Sequence, residues 1–78
     1  MNIHLRLHGR LRDKLPAVQK GRVVLVLPEG ATAAEVLAAV GLQDEYVLLA
    51  INEEHESELS QALQEGDSVE VFLPSAGG

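Results

Sequence analysis

One stretch of this 78-residue chain carries its own start signal, a helical apolar period and its own stop signal. Thr32-Ala33-Ala34-Glu35 has the spacing of a capping box, in which the threonine hydroxyl and the glutamate carboxylate satisfy free amides at a helix start. Ala33, Val36, Leu37 and Val40 then recur at i, i+3, i+4 and i+7, one apolar stripe. Gly41 stands where a left-handed residue ends a helix, with Leu42 as its hydrophobic partner. The spacing predicts one amphipathic helix over about residues 33–40. So short a helix needs a surface to lie on, and the flanking segments supply strands.

Ile3, Leu5 and Leu7 alternate with His4, Arg6 and His8, the period of a strand with one buried face. The two histidines fall on its wetter face. Four residues along a strand separate them by about 13 Å, too far for joint metal ligation. Residues 9–21 form a connector in which Leu11 and Leu15 allow one helical turn ended by Pro16. Arg10, Arg12, Lys14, Lys20 and Arg22, five of the six basic residues, lie in or beside it and read as a solvated loop, with a docking patch as the alternative. Residues 23–27 form an unbroken β-branched and leucine run stopped by Pro28-Glu29-Gly30, a second strand that pairs with the first as an antiparallel hairpin. After the helix, residues 46–51 predict a third strand and Asn52-Glu53-Glu54-His55 a turn. Glu53, Glu54, Glu56 and Glu58 lack the spacing of a calcium loop and read as a solvated acidic stretch. Leu59, Ala62 and Leu63 suit a short strand or turn capping the core. Gln64-Glu65-Gly66-Asp67 is a tight turn, and residues 68–73 are the last strand. Val69, Val71 and Leu73 share one parity and Ser68, Glu70 and Phe72 the other, so the only phenylalanine faces solvent if the valines face the helix. The first and last strands are expected side by side in the middle of the sheet.

A chain of this length buries roughly 60% of the surface of its unfolded form, which leaves little room for a deep active site. Cysteine is absent, so disulfides, thiolate metal sites and a cysteine nucleophile are excluded. No apolar run reaches the roughly 18–20 residues of a membrane span, and the N-terminus lacks a signal-peptide core. A cytoplasmic protein without a membrane partner is the expectation. The net charge of −6 repels phosphate backbones, so no nucleic-acid partner is expected. Neither a glycine elbow, a P-loop nor a dinucleotide fingerprint is present, and no metal site is expected. Catalysis by this chain alone is therefore not anticipated.

The remaining chemistry lies in Pro74-Ser75-Ala76-Gly77-Gly78. Proline cannot extend a ladder, and five residues reach about 17 Å when extended. If Gly78 carries the terminal carboxylate, a flexible 74–78 tail can enter another protein's active site, because glycine removes side-chain bulk around the reacting carbonyl. A carboxylate is unreactive near neutral pH and needs activation by a partner using ATP. Terminal Gly-Gly arises by chance in roughly one chain in two hundred, so the pair alone does not define a function.

The order of elements resembles the ubiquitin-like β-grasp, an α+β fold with a mixed sheet of four to five strands against one main α-helix. Residues 63–78, with a Gly66-Asp67 turn, a strand containing Phe72, then Pro74 and Gly77-Gly78, resemble the end of molybdopterin synthase small subunits. Leu49-Ala50-Ile51-Asn52 is similar to that family's third strand and following asparagine. The chain departs from the family in having Leu73 before a single Pro74, and in a first strand ending Leu7-His8-Gly9.

The resemblance implies a β-grasp domain over residues 1–73 and a flexible tail over 74–78. It also implies a sulfur carrier with no bound cofactor of its own. A ubiquitin-activating-enzyme-like adenylyltransferase would adenylate Gly78 with ATP, sulfur would displace AMP, and the thiocarboxylate would enter the synthase large subunit. Gly77 would give clearance in the channel, Phe72 would anchor the docking face, and Leu73, Pro74, Ser75 and Ala76 would thread the partner. A thiamin-pathway carrier, a lysine-linked protein modifier and an inert interaction domain are the alternatives.

Overall fold

The computed structural model describes residues 1–55 and 57–74, apart from the His55 side chain. Strand β1 spans Asn2–Leu7, and two 3-10 turns, Gly9–Lys14 and Ala17–Gln19, lead to β2 at Arg22–Val26. Helix α1 (Ala33–Ala39), β3 (Leu48–Ile51), β4 (Glu54–His55) and β5 (Ser68–Phe72) follow. The five strands form one sheet in the order β2-β1-β5-β3-β4. β1 and β5 are parallel neighbours at its centre, and the other pairs are antiparallel. The expected hairpin and central strand pair are both present, with Leu5 opposite Val23 and Val69.

Alternation decides which face is buried. Ile3, Leu5 and Leu7 of β1, Leu49 and Ile51 of β3, and Val69 and Val71 of β5 join Ala33, Val36 and Leu37 of α1 in one cluster, closed by Leu11, Leu42 and Leu63. Among the described residues no polar or charged side chain is buried. The core is thus held by apolar burial, worth about 1.5–3 kcal/mol for a fully buried Leu, Ile or Val. Every inward position of β5 is fixed by this cluster, which sets the facing of what remains on the strand.

The helix departs from its expected boundaries and start. It ends at Ala39, with Val40 already outside helical geometry. Gly41 at φ 76° completes the stop: its amide donates to the Ala38 carbonyl and that of Leu42 to the Leu37 carbonyl. Both bonds of a Schellman motif are therefore made. At the other end the capping box does not form, since Thr32 makes no side-chain cap. The amides of Ala33 and Ala34 donate instead to the carbonyls of Gln61 and Leu59, 3.1 and 2.9 Å away, and Thr32 bridges Ala62. Distant backbone satisfies the first turn, so the threonine hydroxyl and the glutamate are not needed there.

Other boundaries move for local reasons. β2 runs one residue earlier than the apolar run, at 22–26, and β3 begins at Leu48, leaving Tyr46 exposed. The expected turn over 52–55 contracts to Asn52-Glu53, both at positive φ, and Glu54–His55 becomes β4. The helical turn of the first connector is a 3-10 turn that buries Leu11, and Leu15 is extended before Pro16, as a residue preceding proline prefers.

Candidate functional site

β5 is the strand that precedes Leu73 and Pro74, and its outward side chains meet both neighbouring strands. Glu70 and Phe72 alternate with the buried Val69 and Val71 and are half-buried. On one side Leu48 of β3 stands directly opposite Phe72 in the antiparallel register and is 44% exposed. Directly opposed side chains on one face of a sheet touch. On the other side the chain leaving β1 stays paired for one more residue, because the His8 amide donates to the Val71 carbonyl at 3.0 Å. This bond brings the His8 ring over Phe72, with centroids 4.3 Å apart and planes within 8° of parallel. Nε2 of His8 then donates to Oε2 of Glu70 at 2.6 Å.

His8, Glu70 and Phe72 therefore form one linked group. The hydrogen bond fixes the imidazole plane and the imidazole covers one face of the phenyl ring. Stacked aromatic pairs contribute about 0.5–1.5 kcal/mol beyond the area they bury. The result is an apolar patch with a polar edge on the outer sheet face, next to Leu73 and Pro74. Among the described residues no group of three His, Asp or Glu side chains is placed to hold a metal ion.

Phe72 lies on the outer face beside Glu70, as its parity predicts, and is half-buried against His8. One expectation needs correction: His8 is not a freely exposed partner of His4, since its side chain is only 28% exposed and engaged by Glu70, while His4 is exposed and pairs across from Ser68. The roles of His8 and Glu70 escaped the sequence reading. The available signal was parity: once β1 and β5 are set parallel with Leu7 beside Val71, His8 must fall beside Phe72. Leu73 turns inward and packs against the core cluster, half-buried, and Pro74 follows beyond the last ladder residue. Ser75, Ala76, Gly77 and Gly78 lie outside the described residues, as does Glu56 of the acidic stretch. Glu53, Glu54 and Glu58 of that stretch are exposed.

A mixed sheet with its first and last strands parallel at the centre and one main helix over one face defines a ubiquitin-like β-grasp domain. Residues 5–78 match the ThiS family, and the chain belongs to that family of ubiquitin-like sulfur carriers. Among solved structures it is similar to a putative molybdopterin converting factor, subunit 1, from Pyrococcus furiosus. That match has a TM-score of 0.74 and 21% identity, and covers 95% of this chain and 98% of the other. SAMP1 from Haloferax volcanii aligns over 100% of both chains with TM-score 0.76 and 22% identity. The complex of subunits 1 and 2 of the molybdopterin-converting factor from Helicobacter pylori also aligns over 100% of both chains, with TM-score 0.66 and 17% identity. No curated protein matches the chain. Among the described residues no helix is long and apolar enough to cross a membrane.

Proposed function

We propose that the chain is the sulfur-carrying small subunit of a molybdopterin synthase. The observation that carries this reading is the ordered Phe72, held between His8 and Leu48 on the outer sheet face, two residues before Pro74. An anchored aromatic at the root of a Gly-Gly tail lets a partner grip the domain while the tail enters a channel. Buried aromatic anchors of this kind carry much of the energy of protein contacts. Similarity to the pyrococcal and Helicobacter converting-factor subunits supports the pathway, and the latter was solved as a complex with a subunit 2.

In this mechanism the Gly78 carboxylate attacks the α-phosphate of ATP on an adenylyltransferase and pyrophosphate leaves. Hydrosulfide then attacks the acyl carbon and AMP leaves, giving a C-terminal thiocarboxylate; with a persulfide donor an acyl disulfide forms first, and a second thiol cleaves it and leaves as a disulfide with the donor. Gly77 gives clearance in the partner's channel, Leu73, Pro74, Ser75 and Ala76 thread it, and within the large synthase subunit the thiocarboxylate donates its sulfur to a cyclic pterin precursor. The domain supplies grip and reach, and partners supply every bond-breaking group.

Intact mass after incubation with the activating enzyme, ATP and a sulfur donor tests this directly. The expected product has one oxygen exchanged for sulfur at Gly78, and an unchanged mass with competent partners rejects it. SAMP1, the small archaeal modifier protein 1, aligns over its whole length and favours a second reading in which Gly78 is joined to lysines. Lysine-linked adducts without thiocarboxylate would select that reading. Transfer of the sulfur to a thiazole precursor, and not to the pterin precursor, would select the thiamin pathway.

A further inference from the structure

Arg6 of β1 and Arg22 of β2 stand directly opposite each other in the antiparallel register. Like charges so placed destabilise a sheet. Glu70 is the cross-strand neighbour of Arg6 on the other side, but its carboxylate is turned to His8. Among the described residues no lysine or arginine nitrogen lies within 4.0 Å of a carboxylate oxygen, although acidic residues outnumber basic ones twelve to six. Among the described residues, then, no carboxylate is placed against these lysines and arginines.

The unpaired cations also share a surface depression. A cleft of about 440 Å³ between β1, the first connector and the start of β2 is lined by Arg6, Arg12, Lys20 and Arg22 together with His8. Arg12 is seated there by Gly21, whose missing side chain leaves room for the arginine stem: a Cβ on Gly21 would fall 2.8 Å from Arg12 Cγ. A second depression of about 480 Å³ on the outer face shares Arg6 and Arg22 with the first and continues past His4 to Ser68 and Glu70, whose carboxylate is held by His8. Arg6 and Arg22 line both depressions, and the first of these is a basic groove that reaches His8 and hence Phe72.

We infer that this groove docks a carboxylate-rich segment of a protein partner, with Arg6 and Arg22 as its central contacts. A net charge of −6 opposes a long phosphate polymer but leaves a local cationic groove attractive to a short acidic peptide. Guanidinium groups pair carboxylates through two parallel hydrogen bonds. The groove is open along the sheet, the shape of a surface contact. The inference rests on the reading that the end of β5 docks on a protein, since a partner seated on Phe72 reaches the groove through His8.

The test is a heteronuclear NMR titration of the full chain with a hexaglutamate peptide, alongside hexalysine, inorganic phosphate and a short DNA duplex. Hexaglutamate is expected to shift amides of residues 6–12 and 19–22, and the shifts should collapse when NaCl rises from about 20 to about 300 mM. Arg6→Gln/Arg22→Gln should weaken binding about tenfold, and Arg10→Gln/Lys14→Gln less than about twofold. Dispersed spectra for both double variants report intact folds. Arg22→Thr, which removes the like-charge opposition, should raise the melting temperature. Absent or delocalised shifts, equal weakening by the two pairs, stronger binding of phosphate or DNA, or an unchanged melting temperature would each overturn the inference. Sulfur loading of Gly78 is measured separately, so a groove that takes no peptide leaves the carrier reading standing. A chain that binds peptide but accepts no sulfur does the reverse.

Discussion

Gly21 and Gly41 have nearly the same backbone, φ 77° and 76°, yet their surroundings give them different costs of substitution. At Gly41 nothing lies within 4 Å of an added Cβ, so alanine meets only the left-handed penalty. Gly41→Ala should cost about 1–2 kcal/mol. At Gly21 the same Cβ falls 2.7 Å from the Leu7 carbonyl oxygen, and Leu7 is itself tied to Gly21 because its amide donates to the Gly21 carbonyl at 2.7 Å. The strand cannot retreat without losing that bond, so Gly21→Ala should cost about 2–5 kcal/mol, overpacking added to backbone strain. In a domain this small that is a large share of total stability. Urea unfolding of the two variants checks the difference, and equal midpoints would mean that Leu7 and Arg12 move aside freely.

At the scale of the element, the hairpin between β3 and β4 contains two adjacent residues whose substitutions should act in opposite directions. Asn52 and Glu53 have φ of 50° and 70°, the signature of a two-residue turn with both central residues left-handed. Asn52 suits the position: its Nδ2 donates to Asp67 Oδ1 at 2.9 Å, and the Ser68 amide donates to its Oδ1 at 3.0 Å, which ties the turn to the start of β5. Asn52→Ala should cost about 1–3 kcal/mol. Glu53 is strained in a place that glycine prefers, so Glu53→Gly should stabilise by roughly 0.5–1 kcal/mol. Thermal melts of the two variants should move apart around the parent, and a shift in the same direction for both would refute this account of the turn.

The same element shows what a linear reading can reach. β1, β5 and α1 are legible because each carries its own period and the core reads that period back, in Ile3, Leu5 and Leu7, in Val69 and Val71, and in Val36 and Leu37. The Gly41-Leu42 stop is local and legible for the same reason. β4 is two residues long and exists only through pairing with Ala50 and Ile51, so no period announces it. The helix start is supplied by carbonyls at residues 59 and 61, a long-range partnership that displaces the local capping box. Of the candidate site, Phe72 was visible by type and parity. The partnership of His8 with Glu70 was not, since it joins residues 62 apart and becomes visible only once the strand register is known.

At the scale of the whole molecule the sheet divides the work. One face carries the core cluster; the other carries His8, Glu70, Phe72 and Leu48, with the exposed Val24 and Val26 further along. Because Phe72 is outside the core cluster, its truncation should not cost the roughly 3–5 kcal/mol of a core phenylalanine. We expect about 1–2 kcal/mol, mostly the lost stack on His8 and contact with Leu48. Sulfur loading should respond much more strongly: at limiting activating enzyme, Phe72→Ala should slow thiocarboxylate formation about tenfold or more, as removal of an interface anchor does. His8→Ala keeps the anchor but frees its ring, so it should produce a smaller slowing at a similar cost in stability. Val18→Ala, at a site 85% exposed and away from β5, should change neither quantity. Unfolding curves and timed mass spectra on the same three variants separate the cases. If slowing follows stability across the series, Phe72 acts through the fold; if Phe72→Ala falls well below that line, the outer face is where partners hold the domain while its tail does the chemistry.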